Sequence, residues 1–120
     1  MITGAHVILF STDSEADRAF FRDVLEFPSV DAGHGWLIFK LPTAEAAVHP
    51  IDGDVQTGML GAELYLMTDD LQALIKSLAA KNVTCTAIDR VRWGIKTTIR
   101  LPSGGAIGLY QPTHPTALGL

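Results

Sequence analysis

Apolar and polar positions along this chain fall into two similar runs. Gly4-Ala5-His6-Val7-Ile8-Leu9-Phe10-Ser11-Thr12-Asp13 aligns with Gly61-Ala62-Glu63-Leu64-Tyr65-Leu66-Met67-Thr68-Asp69-Asp70 at an offset of 57, with four of ten positions identical. Each run opens with a short apolar stretch that reads as a strand. Each then passes into a capping-box pattern, Thr12-x-x-Glu15 in one and Asp69-x-x-Gln72 in the other. In such a box the first side chain accepts from an open backbone N–H and the fourth reaches back. The chain is predicted to be built from an internal repeat.

Downstream of each box the periodicity is helical. Helix one is expected over about Asp13–Leu25, with Ala16, Phe20 and Val24 on one stripe. Helix two is expected over about Asp70–Ala80, where Leu71, Leu74, Ile75, Leu78 and Ala79 recur at i, i+3, i+4, i+7 and i+8. Asn82 supplies a left-handed stop. Short β-prone runs follow each helix: Ser29–Ala32, Trp36–Leu41 and Ala44–His49, then Thr84–Asp89, Gly94–Leu101 and Ala106–Gln111. Gly33-His34-Gly35 and Pro102-Ser103-Gly104-Gly105 read as turns. The stretch containing Asp52-Gly53-Asp54 and Gly58 separates the halves. The expected fold is α+β, with two βαβββ modules forming a curved mixed sheet around a cavity and helices on the outer face. A single domain spans 1–120, with module one at about 4–50, a linker at about 51–60, module two at about 61–112 and a tail at 113–120.

Composition narrows the partners. At 120 residues the chain holds one core, and 48% hydrophobic with 18% charged residues is a folded composition. A net charge of −4 with scattered Lys and Arg argues against a nucleic-acid surface. Cys85 is the only cysteine, so no disulfide forms within the chain, which suits a reducing cytoplasm. It reads as a small buried residue, since no basic neighbour would activate it. The N-terminus lacks the basic region of a signal peptide, and no apolar run approaches a membrane span. A cytoplasmic protein without nucleic-acid or membrane partners is expected.

Alternation along the strands gives the candidate chemistry. His6, Ile8 and Phe10 share one face, and the repeat assigns Glu63, Tyr65 and Met67 to the equivalent face. His6 and Glu63 can then look into one cavity, where an imidazole and a carboxylate hold a divalent metal or pair with each other. A carboxylate inside an apolar strand is costly unless it is exposed or used, and Glu63 is read as used. Trp36, Phe39, Tyr65, Trp93 and Tyr110 fall on strand faces able to line a cleft for a flat or partly apolar ligand. His34 and His114 read as solvated, one between two glycines and the other in a Pro-rich tail.

This arrangement resembles the vicinal-oxygen-chelate superfamily, which includes glyoxalase I, extradiol dioxygenases and bleomycin-binding proteins. The resemblance runs from Gly4 to Pro112. It is carried by Gly4-Ala5-His6-Val7, Gly61-Ala62-Glu63-Leu64-Tyr65-Leu66, Arg92-Trp93-Gly94 and the closing Leu101-Pro102-Ser103-Gly104-Gly105 turn with its strand Ala106–Tyr110. It implies metal ligands on the first and last strands of each module, which match His6, His49, Glu63 and Gly108. Gly108 departs from the pattern by offering no side chain where the family usually has Glu. His6, His49 and Glu63 remain as ligands for Zn, Ni, Fe or Mn, with Glu63 also the catalytic candidate. The resemblance also implies that Trp93-Gly94 lies beside the binding cavity and that the protein is a homodimer.

Two functions follow as expectations. One is a metal-dependent lyase or dioxygenase in which the metal chelates adjacent substrate oxygens and stabilises an oxyanion. The alternative is a metal-free protein that sequesters a small molecule in an aromatic cleft, as bleomycin-resistance proteins do. Retention of His6 and Glu63 favours the first, and loss of a ligand at Gly108 favours the second.

Overall fold

The repeat is most visible at the helix starts. A computed structural model of the chain describes residues 6–47 and 62–120. Helix α1 covers Ser14–Asp23 and helix α2 covers Leu71–Ala80, the same element displaced by 57 residues at both ends. Asp13 caps α1 by accepting from the Ala16 N–H at 3.2 Å, and Asp70 caps α2 by accepting from the Ala73 N–H at 3.0 Å. Ser11 and Thr68 repeat as well, each hydroxyl accepting from the N–H of its capping aspartate at 3.0 and 3.1 Å. The capping boxes expected at Thr12 and Asp69 are therefore one residue early. An aspartate in extended conformation reaches the third helical N–H and also sets a negative charge against the helix dipole.

Helix ends follow their local signals. Asn82 adopts φ 63° after α2, while the Asn82 and Val83 N–H groups return to the Ala79 and Leu78 carbonyls. That is a left-handed stop of the expected kind. The α1 end is closed from a distance, because the Lys81 ammonium donates to the Val24 carbonyl at 3.0 Å.

The strands divide unevenly. Strands β1 (Ser29–Asp31) and β2 (Leu37–Phe39) form an antiparallel hairpin. Its turn runs through Gly33, His34 and Gly35, all at positive φ, with the Asp31 carboxylate accepting from the Gly33 and Gly35 N–H groups. Strands β3 (Tyr65–Met67), β4 (Asp89–Val91), β5 (Gly94–Arg100) and β6 (Ala106–Pro112) form a sheet in the order β3-β6-β5-β4. Here β3 runs parallel to β6 and the other pairs are antiparallel. The first and last strands of the second module are thus neighbours.

The first module keeps only its hairpin among the described residues. Residues 6–10 form no ladder, and Ile8 and Phe10 are 67% and 89% exposed. Residues 44–47 likewise form none, and the rest of that expected strand lies outside the described residues. An apolar alternating run becomes a strand only when a neighbour completes its hydrogen bonds. In the second module Thr84–Asp89 is also largely lost as a strand, and pairing is confined to Asp89–Val91. Thr86 still bonds sideways to Thr97 and Thr98 on β5.

Both helices cover one face of the four-stranded sheet. Phe21 from α1, Leu71 and Leu78 from α2, and Ile99, Leu101, Ile107 and Leu109 from the sheet make the core. Phe20 and Val24 of the expected α1 stripe pack against this core half-buried, while the fully buried positions of the helix are Asp17 and Phe21. Asp17 tolerates burial because Ser103 donates to it twice, from the backbone N–H at 3.0 Å and from the hydroxyl at 2.7 Å. Burial opposes its charge, but bonds from the Ser103 hydroxyl, Ser11 and the Ser103 N–H outweigh that and hold the carboxyl below its usual range. This pair ties the helix of one module to the β5–β6 turn of the other. Within the second module Gln111 of β6 anchors α2, its side-chain oxygen accepting from the Leu71 N–H at 2.9 Å.

Candidate functional site

Register decides which side chains share the face opposite the helices. Tyr65 is paired with Gly108, Met67 with Tyr110, and Lys96 with Tyr110. Paired residues project to the same side of a sheet. Ile107 and Leu109 point to the helices, so Gly108, Tyr110, Tyr65, Met67 and Lys96 point away from them.

Three of the five expected aromatic residues meet on this face. Tyr65 and Trp93 lie edge-on with centroids 5.6 Å apart, Tyr65 and Tyr110 at 5.7 Å, and Trp93 and Tyr110 at 4.9 Å. Trp93 reaches the face from the β4–β5 turn, and the Lys96 ammonium sits 5.4 Å from its ring. Beside Trp93, the backbone of Gly94 passes so close to the Gln111 carbonyl that a Cβ would strike it.

Gly108 explains how the rings fit. A Cβ at this position would overlap Cδ1 and Cε1 of Tyr65 and lie 2.9 Å from its Cγ. The Tyr65 ring therefore lies across the glycine, in the space where a side chain from β6 would begin. The absent side chain is a packing requirement of the aromatic cluster.

The other candidates lie apart from it. Phe39 packs edge-on against Phe21 at 5.4 Å and so joins the helix-side core. Trp36 is 63% exposed, with the Arg18 guanidinium 4.5 Å above its ring. His6 and Glu63 are exposed, and His49 lies outside the described residues. Among the described residues no three of His, Cys, Asp and Glu come together as a metal site. Among the described residues the last-strand position is filled by the Tyr65 ring, and His49 is not among them.

Two residues from outside the expected aromatic set join the cluster. The tail beyond β6 turns back so that the His114 ring stacks on Tyr110, with centroids 6.0 Å apart and planes 25° apart. His114 is thus engaged, where its Pro-rich surroundings suggested a solvated side chain. The Thr113 N–H donates to the Trp93 carbonyl at 3.0 Å, anchoring the start of the tail. Glu45, from module one, accepts from the Ala117 N–H at 2.6 Å and holds its far end. Burial pushes the Tyr110 hydroxyl up from its ordinary value, and the negative charge of Glu45 pushes it further. Glu45 carries no periodic or motif signal, and His114, two residues beyond the end of β6, falls past the alternation of that strand.

Two open clefts flank the sheet. One of about 390 Å³ lies at the edge of the aromatic face, bordered by Met67, Gln111, Pro112, Thr116 and Leu118. The other, about 470 Å³, is on the helix side between Phe20, Val83, Cys85 and Leu101. The first is bounded by the tail and by Met67, the neighbour of Tyr110, and none of the three clustered rings lines it. Burial pushes the Cys85 thiol up, which leaves it protonated and unreactive in the second.

Similar architectures are found among solved structures. TnmS3, an antibiotic binding protein from Streptomyces sp. CB03234, is 27% identical over 94% of this chain and 100% of that one, with TM-score 0.62. A lactoylglutathione lyase from Agrobacterium tumefaciens is 20% identical over 91% of this chain and 92% of that one, with TM-score 0.64. A glyoxylase/bleomycin resistance protein/dioxygenase domain from Frankia sp. EAN1pec is 14% identical over 99% of this chain and 98% of that one, with TM-score 0.58. The chain has the vicinal-oxygen-chelate fold. No protein-family model and no curated protein matches the sequence. Within the vicinal-oxygen-chelate fold the aromatic cluster sits on the sheet face turned away from the helices. No helix among the described residues is long and apolar enough to cross a membrane.

Proposed function

We propose that this protein binds and holds a small, flat, partly aromatic molecule on the Tyr65–Trp93–Tyr110 face, without a catalytic metal. The observation that carries this reading is the Tyr65 ring lying across Gly108. A carboxylate ligand on the last strand and this ring cannot share the space. Exposure of His6 and Glu63 agrees with it, as does the resemblance to an antibiotic binding protein. Apolar rings with few convergent polar groups are the usual furniture of a small-molecule site. The reading extends to a cytoplasmic homodimer, in which a second copy covers exposed apolar side chains such as Phe10 and Trp36.

Metal analysis and titration test the central claim. Purified protein is expected to hold sub-stoichiometric metal and to show no thermal shift with Ni, Zn, Fe or Mn. Titration with indole, followed by amide NMR shifts, is expected to move Gly108 and Tyr110, and Trp93→Leu is expected to weaken the effect. Stoichiometric metal that disappears in His6→Ala or Glu63→Ala would overturn the proposal and restore the metal-dependent lyase or dioxygenase. A single-chain mass in light scattering would remove the homodimer.

A further inference from the structure

Hydrogen-bond direction at the tail sets what the aromatic face offers a ligand. His114 Nδ1 lies 2.7 Å from the Pro115 carbonyl oxygen. A carbonyl only accepts, so Nδ1 carries a proton. In the neutral ring Nε2 is then bare and acts as an acceptor. Tyr110 Oη is 3.3 Å from that Nε2, so the tyrosine donates its only proton to the histidine. What remains on Tyr110 Oη is acceptor capacity. The chain Tyr110→His114→Pro115 runs one way because its last member has no proton to give.

The charges around the cluster agree with this polarity. Glu45, fixed through the Ala117 N–H, is close enough to oppose ionisation of the Tyr110 hydroxyl, and it is itself an acceptor. Lys96 is the cross-strand neighbour of Tyr110, but its ammonium is turned over Trp93. A negative and a positive group therefore flank the rings, which gives no net preference for a charged ligand.

We infer that the ligand of this face is a neutral planar aromatic carrying an N–H or O–H donor, received by Tyr110 Oη, and that His114 is the positioning residue that takes up the Tyr110 proton and so leaves the hydroxyl only accepting. The inference rests on the proposed binding function and names the chemistry of its ligand. His114 acts through Tyr110 and also keeps the stacked ring in place.

The test compares indole with 1-methylindole, which share the ring system and differ in the donor. Affinities are measured by NMR shift titration at pH 8. Indole is expected to bind about fivefold tighter, the effect of one neutral hydrogen bond. In His114→Phe, which keeps a ring over Tyr110 but frees the tyrosine proton, the ratio is expected to fall to about twofold or less. Tyr110→Phe removes the acceptor outright and serves as the second variant, with the same expected collapse of the ratio. Equal binding of the two probes by the unmodified protein overturns the donor inference and leaves the binding function standing. A fivefold ratio that survives in His114→Phe overturns the role of His114, and one that survives in Tyr110→Phe assigns the donor contact to another residue and overturns the inference. Binding of neither probe removes the proposed function together with the inference.

Discussion

Replacing Gly108 by alanine is the sharpest test of how the aromatic face is built. The new Cβ would run into Cδ1 and Cε1 of Tyr65 and come within 2.9 Å of its Cγ. The ring cannot simply tilt away, because its edges meet Trp93 at 5.6 Å and Tyr110 at 5.7 Å. Overpacking of this kind costs roughly 1–3 kcal/mol. Against it stands the gain of about 0.5–1 kcal/mol from replacing glycine within a strand. Gly108→Ala is therefore expected to lose about 1–2 kcal/mol, read as a lower urea midpoint at unchanged slope. In a Tyr65→Ala background the obstacle is gone, and the same substitution is expected to be neutral or to stabilise by about 0.5 kcal/mol. The two residues should thus be coupled by about 2 kcal/mol in a double-mutant cycle. Near-UV circular dichroism should change in Gly108→Ala as the rings rearrange. A loss that is the same in both backgrounds would refute the packing explanation, as would a Gly108→Ala protein within 0.5 kcal/mol of the unmodified one.

Two titrations probe the other unusual groups. Asp17 has its carboxyl held below the ordinary value in the folded protein, so its stabilising effect is present above the unfolded value of 3.8 and is lost as pH falls through the folded one. Asp17→Asn is expected to cost about 2 kcal/mol at pH 7, and the difference from the unmodified protein should shrink below pH 4 in acid-dependent urea unfolding; a gap that persists to pH 2 would count against the Ser103 bonds as its origin. Tyr110 has the opposite shift, raised by burial and then by Glu45, so its contribution is complete below its unfolded value of 10.0 and fades as pH rises through the folded one. Absorbance at 295 nm should show a tyrosine ionisation above 10 that disappears in Tyr110→Phe, and Glu45→Gln should move it down slightly; loss of an ionisation at or below 10 in Tyr110→Phe would contradict the environment described for Tyr110.

The candidate site was only partly legible. Tyr65, Trp93 and Tyr110 could be named as a group from strand alternation and resemblance, and they do converge. Phe39 and Trp36 looked equivalent to them in sequence, yet one joined the helix-side core and the other stayed at the surface. Strand parity assigns a side of the strand. Which neighbour fills that side depends on sheet order and on where the helices land.

Acting alone, the amino-acid sequence determined the local features: both helices, the left-handed stop at Asn82, the glycine turn at 33–35, and the β5–β6 pair. Each depends on residues within a few positions of one another, so periodicity and turn chemistry suffice. The 57-residue offset went further, since two helices with identical caps recur at that spacing. Tertiary structure decided the rest. Residues 6–10 have a strand pattern but form no ladder among the described residues, since a strand exists only with a partner that its own residues do not specify. Gly108 read as a missing ligand until register set it under Tyr65, 43 positions away in the chain. His114 read as tail until Pro115, Tyr110 and the fold-back of the chain gave its ring a fixed direction of hydrogen bonding. Local physics shaped the elements, and contacts between distant residues turned one face of a sheet into a site.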